Sequence, residues 1–167
     1  MAHRIASVGY VNARPLIEGL GEQPDLALHL AVPSALSAQL QSKAADVALL
    51  PVIELQRVEG LSILPVGGIG CDGHTLTVRI FSQTPLHEVK SLACDPDSRT
   101  SVALARIVFA ERFGLRPDFV PLRSASGAPG EARLLIGDKV VCEEPVGFEH
   151  QLDLGHAWKE LTGLPFV

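Results

Sequence analysis

The chain has 167 residues and a formal net charge of -5, from 14 Lys and Arg against 19 Asp and Glu. Hydrophobic residues make up 47% of the chain and charged residues 20%, a balance that excludes a disordered protein or a coiled coil. The acidic charge argues against non-specific nucleic-acid binding, and no apolar run approaches the roughly 20 residues that span a bilayer. We therefore expect one globular domain or two small lobes, without nucleic-acid or membrane partners.

The cysteines and the first residues of the chain indicate the cellular compartment in which the protein is expected. Cys71, Cys94 and Cys142 are odd in number and show no C-x-x-C spacing. Residues 1–6 turn polar too quickly for a signal peptide. Both observations predict a reducing, cytoplasmic location.

Short apolar runs alternate with helical patterns, which is typical of an α/β fold. The first half predicts strands at residues 5–8, 26–32 and 47–50, a further apolar run at 61–66, and helices opening at Pro15, at Pro33 and over 53–58. The second half predicts strands at 75–81, 91–94, 119–122 and 134–136, a helix from the polar loop 95–101 to Gly114, and a small-residue loop at 124–130. A change of composition predicts a first lobe at residues 1–82 and a second at 83–167, with a ligand between them.

Three familiar site patterns are weak here. The segment GIGCDG at residues 68–73 matches G-x-G-x-x-G, but a predicted strand follows it instead of the helix that a dinucleotide requires. The six histidines are scattered, and none stands at metal-ligand spacing. Ser101, His74 and Asp138 could form a hydrolytic triad, but no G-x-S-x-G turn presents a serine. We therefore expect no metal and no nucleotide.

The helix starts are a stronger signal. Ser34 stands at the start of one predicted helix, and another opens on Ser98, Arg99, Thr100 and Ser101. Backbone N–H groups without partners and the helix dipole favour a carboxylate or phosphate at such positions. Ordinary N-capping by these hydroxyls is the open alternative. Asn12 directly follows a predicted strand, where its amide could orient a carboxylate or serve turn chemistry.

Several segments, spread in the same order over nearly the whole chain, resemble the sequences of one family. They are SVGYVNARPL at 7–16, VPSAL at 32–36, ADVALLPVIE at 45–54, CDG at 71–73, DPDSRTSVAL at 95–104, LIGD at 135–138 and the ending at 152–167. In these segments the chain resembles the chorismate dehydratases of the futalosine route to menaquinone, the MqnA family. The resemblance implies the two-lobed fold of type II periplasmic binding proteins, with a ligand cleft between the lobes. It also implies a lyase that removes water from chorismate to give 3-[(1-carboxyvinyl)oxy]benzoate without a metal or organic cofactor.

The resemblance further implies the site residues. Asn12 takes the position of a catalytic asparagine, and the positions expected around the substrate's carboxylates and hydroxyl are Ser34, Thr77, Ser98, Arg99, Thr100, Ser101 and Gly137. Thr77 stands where relatives usually have serine, and it retains the hydroxyl. Arg99 could instead anchor its loop through Asp95 or Asp97.

The family pattern also implies that the return segment to the first lobe is missing after residue 167, so that the chain is C-terminally shortened. A non-catalytic cytoplasmic module that binds a small carboxylate is therefore an alternative to the enzyme, as is an inactive fragment of it. A homodimer formed through the exposed surface of the first lobe is a further expectation.

Overall fold

The three strands near the N-terminus form a small parallel sheet. The structure, a computed structural model, describes residues 2–122, 132–142 and 145–166. Its first sheet has the order β2-β1-β3, with β1 at His3–Ser7, β2 at Leu26–Leu30 and β3 at Val47–Ala48. The helices of this region are α1 at Arg14–Ile17, α2 at Pro33–Gln41 and α3 at Glu54–Arg57, with 3-10 turns at Val11–Ala13 and Leu20–Glu22.

Proline placement explains where α1 and α2 begin. Each helix has a proline in its first turn, where the missing N–H would have no intrahelical partner. Leu36 of α2 is fully buried and belongs to a core cluster with Ala6 of β1, Ala13 and Ala45. This packing fixes α2 against the sheet.

The second sheet has five strands in the order β6-β5-β7-β4-β8. Its members are β4 at Val78–Ser82, β5 at Ser91–Cys94, β6 at Asp118–Pro121, β7 at Ala132–Ile136 and β8 at His150–Asp153. Strands β5, β6 and β7 run parallel, whereas β4 pairs antiparallel with both β7 and β8. The helices are α4 at Arg99–Phe113, α5 at Asp138–Val141 and α6 at Leu154–Thr162, with a 3-10 turn at Leu86–Glu88.

Strand β4 is buried on both faces, as expected for a strand with neighbours on each side. Ile80 joins the larger core cluster, to which α4 contributes Phe109 and α6 contributes Leu154. Phe81 points to the opposite face and packs in a second cluster with Leu135 and with the partly buried Leu122 and Phe148. Successive β4 side chains thus supply two separate cores.

The chain divides into two compact units, residues 1–69 with residue 167, and Gly70–Phe166. The lobe boundary expected after residue 82 lies later than this division, because β4 hydrogen-bonds to β7 and β8 and so belongs to the second sheet. We refer below to the first unit and the second unit.

The α/β class predicted from the sequence is confirmed, and the strand predicted at 91–94 is β5. The apolar run at residues 61–66 has no regular structure, and its Ile63 and Val66 side chains are 68% and 87% exposed. The strand predicted from residue 75 begins at Val78, because Leu76 has a positive φ of 62°. The loop predicted at 124–130 lies outside the described residues. Of the helices described, none is both long and apolar enough to cross a membrane.

Candidate functional site

Six of the predicted site residues lie along one edge of the second unit's sheet. Thr77 immediately precedes β4, Gly137 immediately follows β7, and Ser98 lies in the loop after β5. Because β5 and β7 are parallel neighbours and β4 runs antiparallel to β7, these three ends meet at the same edge. The Gly137 N–H donates to the Thr77 carbonyl at 2.8 Å. We call this the second-unit edge; ligands commonly bind beyond the carboxyl ends of strands in α/β sheets.

Helix α4 begins at this edge with a side-chain cap. Ser98 is the N-cap, and its Oγ accepts a hydrogen bond from the Ser101 N–H at 3.2 Å. The Ser98 and Ser101 hydroxyls also lie 2.7 Å apart, within hydrogen-bond distance. The capping alternative is therefore correct for Ser98, whereas Thr100 is the second helical residue and is not the cap.

The start of α4 keeps the properties of an anion site despite this cap. The helix has 15 residues, and its first backbone N–H groups have no carbonyl within the helix to bind. Its dipole places partial positive charge at the same end. Arg99 is exposed and Thr100 is half-buried in that first turn. A carboxylate can therefore be held there by backbone donors together with a guanidinium.

Lys139, which the sequence analysis missed, ties the loop before α4 to the turn after β7. Its Nζ lies 2.9 and 2.8 Å from the two carboxylate oxygens of Asp95 and 2.7 Å from Asp97 Oδ2. Partial burial lowers the pKa of Lys139, but the hydrogen bonds to the two carboxylates outweigh this effect and raise it to about 12. Lys139 thus anchors the loop through Asp95 and Asp97, which the sequence analysis had considered as a role for Arg99.

Gly137 adopts a backbone conformation that favours glycine. Its φ of 64° and ψ of -141° place it in a region that side chains with a Cβ rarely enter. The residue is buried and leads directly into α5. Glycine at this position lets the chain turn sharply at the end of β7.

The two remaining predicted residues lie in the first unit. Asn12 is exposed in the 3-10 turn that follows β1, and half-buried Ser34 is in the first turn of α2 after β2. Since β1 and β2 are parallel neighbours, both positions follow carboxyl ends of strands at one edge of the first sheet. Val32 is the N-cap of α2 without a capping side chain, so the capping alternative does not apply to Ser34.

Asp153 was also missed by the sequence analysis, although an Asp between a strand and a helix is a recognised start signal. Its carboxylate caps α6 by accepting hydrogen bonds from the Gly155 and His156 N–H groups at 2.9 and 3.1 Å. It also accepts from the Thr75 and Leu76 N–H groups at 2.9 and 2.8 Å. The same side chain thereby holds the segment that leads to Thr77.

The electrostatics of Asp153 follow from these contacts. Burial of the carboxylate opposes ionisation, but hydrogen bonds from Thr75, His156 and Leu76 outweigh it and hold the pKa of Asp153 below its usual value. Space is tight around it, since a Cβ on Gly155 would overlap the Thr75 methyl group and crowd the Gly73 carbonyl. The arrangement is a structural clamp next to the second-unit edge.

The described residues contain no group of three or more His, Cys, Asp or Glu side chains that could hold a metal ion. The next regular element after the glycine-rich segment 68–73 is β4, so no described helix follows this segment as a dinucleotide fingerprint requires.

Comparison with known proteins identifies the family. The model of a family described as menaquinone biosynthesis matches residues 3–167. The chain belongs to this family. The membership confirms the resemblance found in the sequence, and it covers the elements at both sheet edges.

Two known proteins are similar to the chain over most of its length. A chorismate dehydratase from Thermus thermophilus is 29% identical over 180 residues, covering 95% of this chain and 65% of the relative. A crystal structure of an Archaeoglobus fulgidus protein matches with a TM-score of 0.69 at 15% identity, covering 98% of this chain and 64% of that one. The chain thus spans slightly less than two thirds of the length of either protein.

Proposed function

We propose that the chain acts in menaquinone biosynthesis as a chorismate dehydratase, a lyase that converts chorismate to 3-[(1-carboxyvinyl)oxy]benzoate and water. The observation that carries the proposal is the family match over residues 3–167, supported by the similarity to the Thermus thermophilus enzyme. The two-lobed fold of type II periplasmic binding proteins, with its ligand cleft, is part of the same proposal, as are the futalosine route and a cytoplasmic location.

The substrate's charge suits the start of α4. Chorismate carries two carboxylates, and the first turn of α4 offers backbone N–H donors, the helix dipole and Arg99. A hydrogen bond to a charged group contributes roughly 1.5–3 kcal/mol net. Thr77 and Gly137, which share a hydrogen bond at the same edge, are proposed to contact the ligand beside Thr100. In the first unit, Ser34 is proposed to bind a further polar group of the substrate.

The reaction itself asks for positioning more than for strong acid or base groups. Loss of a ring proton and a hydroxyl group gives an aromatic ring, so the elimination runs downhill. The resemblance implies a stepwise scheme, in which the substrate's own side-chain carboxylate is one candidate for the base. The protein's part is then to orient the substrate and to stabilise developing charge. We assign the catalytic role to Asn12, whose exposed amide can donate and accept hydrogen bonds.

The direct test mixes the purified chain with chorismate and follows the ultraviolet spectrum. A new benzoate-type spectrum is expected from the parent chain, and the Asn12→Ala variant should lose it. Gln41→Ala is the matched control, because it removes an exposed amide at the far end of α2 and should keep full activity. A folded parent chain that leaves chorismate unchanged contradicts the proposed reaction.

A non-catalytic small-carboxylate binding module is the second candidate, and an inactive fragment of the enzyme the third. The observation that favours them is that the chain spans only 65% of the length of the Thermus thermophilus enzyme. Calorimetry that detects chorismate binding without product would support the binding module, and neither binding nor product would support the inactive fragment. Light scattering on the same sample tests the predicted homodimer.

A further inference from the structure

The Asp95–Lys139–Asp97 cluster has no assigned role in the proposed reaction, yet it joins the two turns that carry the second-unit edge. Asp95 follows β5, and Lys139 lies in α5, two residues after Gly137. The Asp95 side chain is fully buried, and the Lys139 side chain is 41% exposed. The cluster also has a backbone component, since the Asp95 N–H donates to the Leu134 carbonyl at 3.0 Å.

The cluster places negative charge where an anionic ligand would bind. Asp97 immediately precedes the N-cap of α4, and its own N–H donates to Asp95 Oδ1 at 3.1 Å. Two carboxylates beside the helix start would repel a dianion and weaken the attraction of the helix dipole. Lys139 compensates part of this charge from 2.7 to 2.9 Å. Because the Asp95 side chain is fully buried, loss of Lys139 would leave both of its carboxylate oxygens without this partner.

We propose that Lys139 is a positioning residue, which fastens the loop at residues 95–98 to the turn after β7 and screens its carboxylates so that a dianionic ligand can bind at the start of α4. The proposal rests on the function proposed above, because it takes the α4 start as the place where a substrate carboxylate binds. Lys139 itself contacts Asp95 and Asp97, and it acts on the ligand through them.

Lys139 remains charged in the working range of pH. Its pKa is raised to about 12 by the two carboxylates, after the opposing effect of burial. A cation whose pKa rises on folding contributes its full stabilisation below its unfolded value of 10.5 and loses it as the pH climbs through about 12. At neutral pH Lys139 is therefore charged, so that it can hold the loop at residues 95–98 and compensate the charge of its carboxylates.

The test uses two variants that change the local charge in opposite directions. Lys139→Met removes the cation and should weaken binding of 3-[(1-carboxyvinyl)oxy]benzoate, a dianion that is not consumed, by about tenfold. Asp97→Asn removes one carboxylate and should tighten binding about twofold to threefold, while slightly destabilising α4 because an acidic group near the helix start is lost. A general loss of packing would weaken binding in both variants.

Two further variants serve as controls. Lys139→Arg keeps the charge and should retain affinity within about threefold. Lys159→Met breaks an ion pair with Asp72 on the surface of the second unit and should leave affinity unchanged. The backbone amides in segment 95–101, apart from Pro96, which has no N–H, should exchange hydrogen faster in Lys139→Met and at the parent rate in Lys159→Met.

The readouts separate the failure of this proposal from the failure of the proposed function. Parental affinity in Lys139→Met, or weaker binding in Asp97→Asn, overturns the screening role. Unchanged amide exchange at residues 95–101 in folded Lys139→Met overturns the fastening role. A parent chain that binds neither chorismate nor its product contradicts the proposed function and the screening with it, whereas the exchange experiment still decides the fastening.

Discussion

Asp153→Asn is the substitution that most directly tests how the second unit is held together. The aspartate's Oδ1 accepts from the Thr75, Gly155 and His156 N–H groups, and Oδ2 accepts from the Leu76 N–H at 2.8 Å. Asparagine keeps only one acceptor oxygen. With that oxygen at the Oδ1 position, its NH₂ group faces the Leu76 N–H, so a hydrogen bond is replaced by two opposed donors.

The magnitude follows from these contacts. One charge-assisted hydrogen bond is lost, for about 1.5–3 kcal/mol, and the bonds that remain no longer involve a charged acceptor. We expect Asp153→Asn to lower the free energy of unfolding by about 2–4 kcal/mol. Alanine should cost more, because it also removes the N-cap of α6 and leaves buried donors without an acceptor. The loss is a large part of the 5–15 kcal/mol typical of a domain.

Urea denaturation followed by circular dichroism measures this loss. Asp72→Asn is the matched control, because it neutralises a carboxylate of the same unit whose ion pair with Lys159 is exposed, and it should cost less than about 1 kcal/mol. If Asp153→Asn costs no more than Asp72→Asn, the hydrogen-bonded clamp does not stabilise the unit and the reasoning is refuted.

The pH dependence gives an independent check on the same side chain. The folded-state pKa of Asp153 lies below its ordinary value, so its ionised form is stabilised by folding. The contribution is complete above the unfolded pKa of about 3.9 and is lost as the pH falls through the folded value. The stability gap between the parent chain and Asp153→Asn should stay constant from about pH 6 to 8 and narrow below about pH 4.

Three further predictions concern other parts of the chain. Leu36→Ala should destabilise the first unit by about 2–5 kcal/mol in urea denaturation, because Leu36 is fully buried in its core, and a cost below about 1 kcal/mol would contradict that packing. Gly137→Ala should cost about 1–3 kcal/mol, because its φ of 64° with ψ of -141° strains a residue that has a Cβ; unchanged stability would exclude this turn geometry. Cys142 is exposed and should react with iodoacetamide at pH 7.5 well before Cys94, whose pKa burial raises to about 11; equal rates measured by mass spectrometry would contradict the burial of Cys94.

Local sequence patterns were sufficient for the elements whose signals lie within a few residues. Strand β5 and the helix after it were predicted because an apolar run, a polar loop with a serine N-cap and a terminating glycine follow each other in order. The apolar run at residues 61–66 carries the same kind of signal but finds no partner strand in the described residues. Hydrophobicity alone therefore does not make a strand.

The site divides in the same way. The resemblance implies site residues at the start of α4 and at the glycine after β7, and their binding roles stay predictions. Lys139 was not predicted, because its partners lie 42 to 44 residues away. The N-cap role of Asp153 has a local signal that was missed, whereas its bonds to the Thr75 and Leu76 N–H groups join residues 77 to 78 positions apart. No periodicity or capping pattern spans such distances.

Composition and local patterning sufficed to assign this chain to the α/β class and to place most of its strands, and the resemblance of its sequence segments pointed to the menaquinone biosynthesis family. Folding in three dimensions was needed to place β4 between β7 and β8, and so to bring Thr77 to the same edge as Gly137. It was equally needed to pair Lys139 with Asp95 and Asp97. The physical reason is that helix and strand signals act between near neighbours, whereas strand pairing and buried ion pairs depend on which distant segments the cores bring into contact.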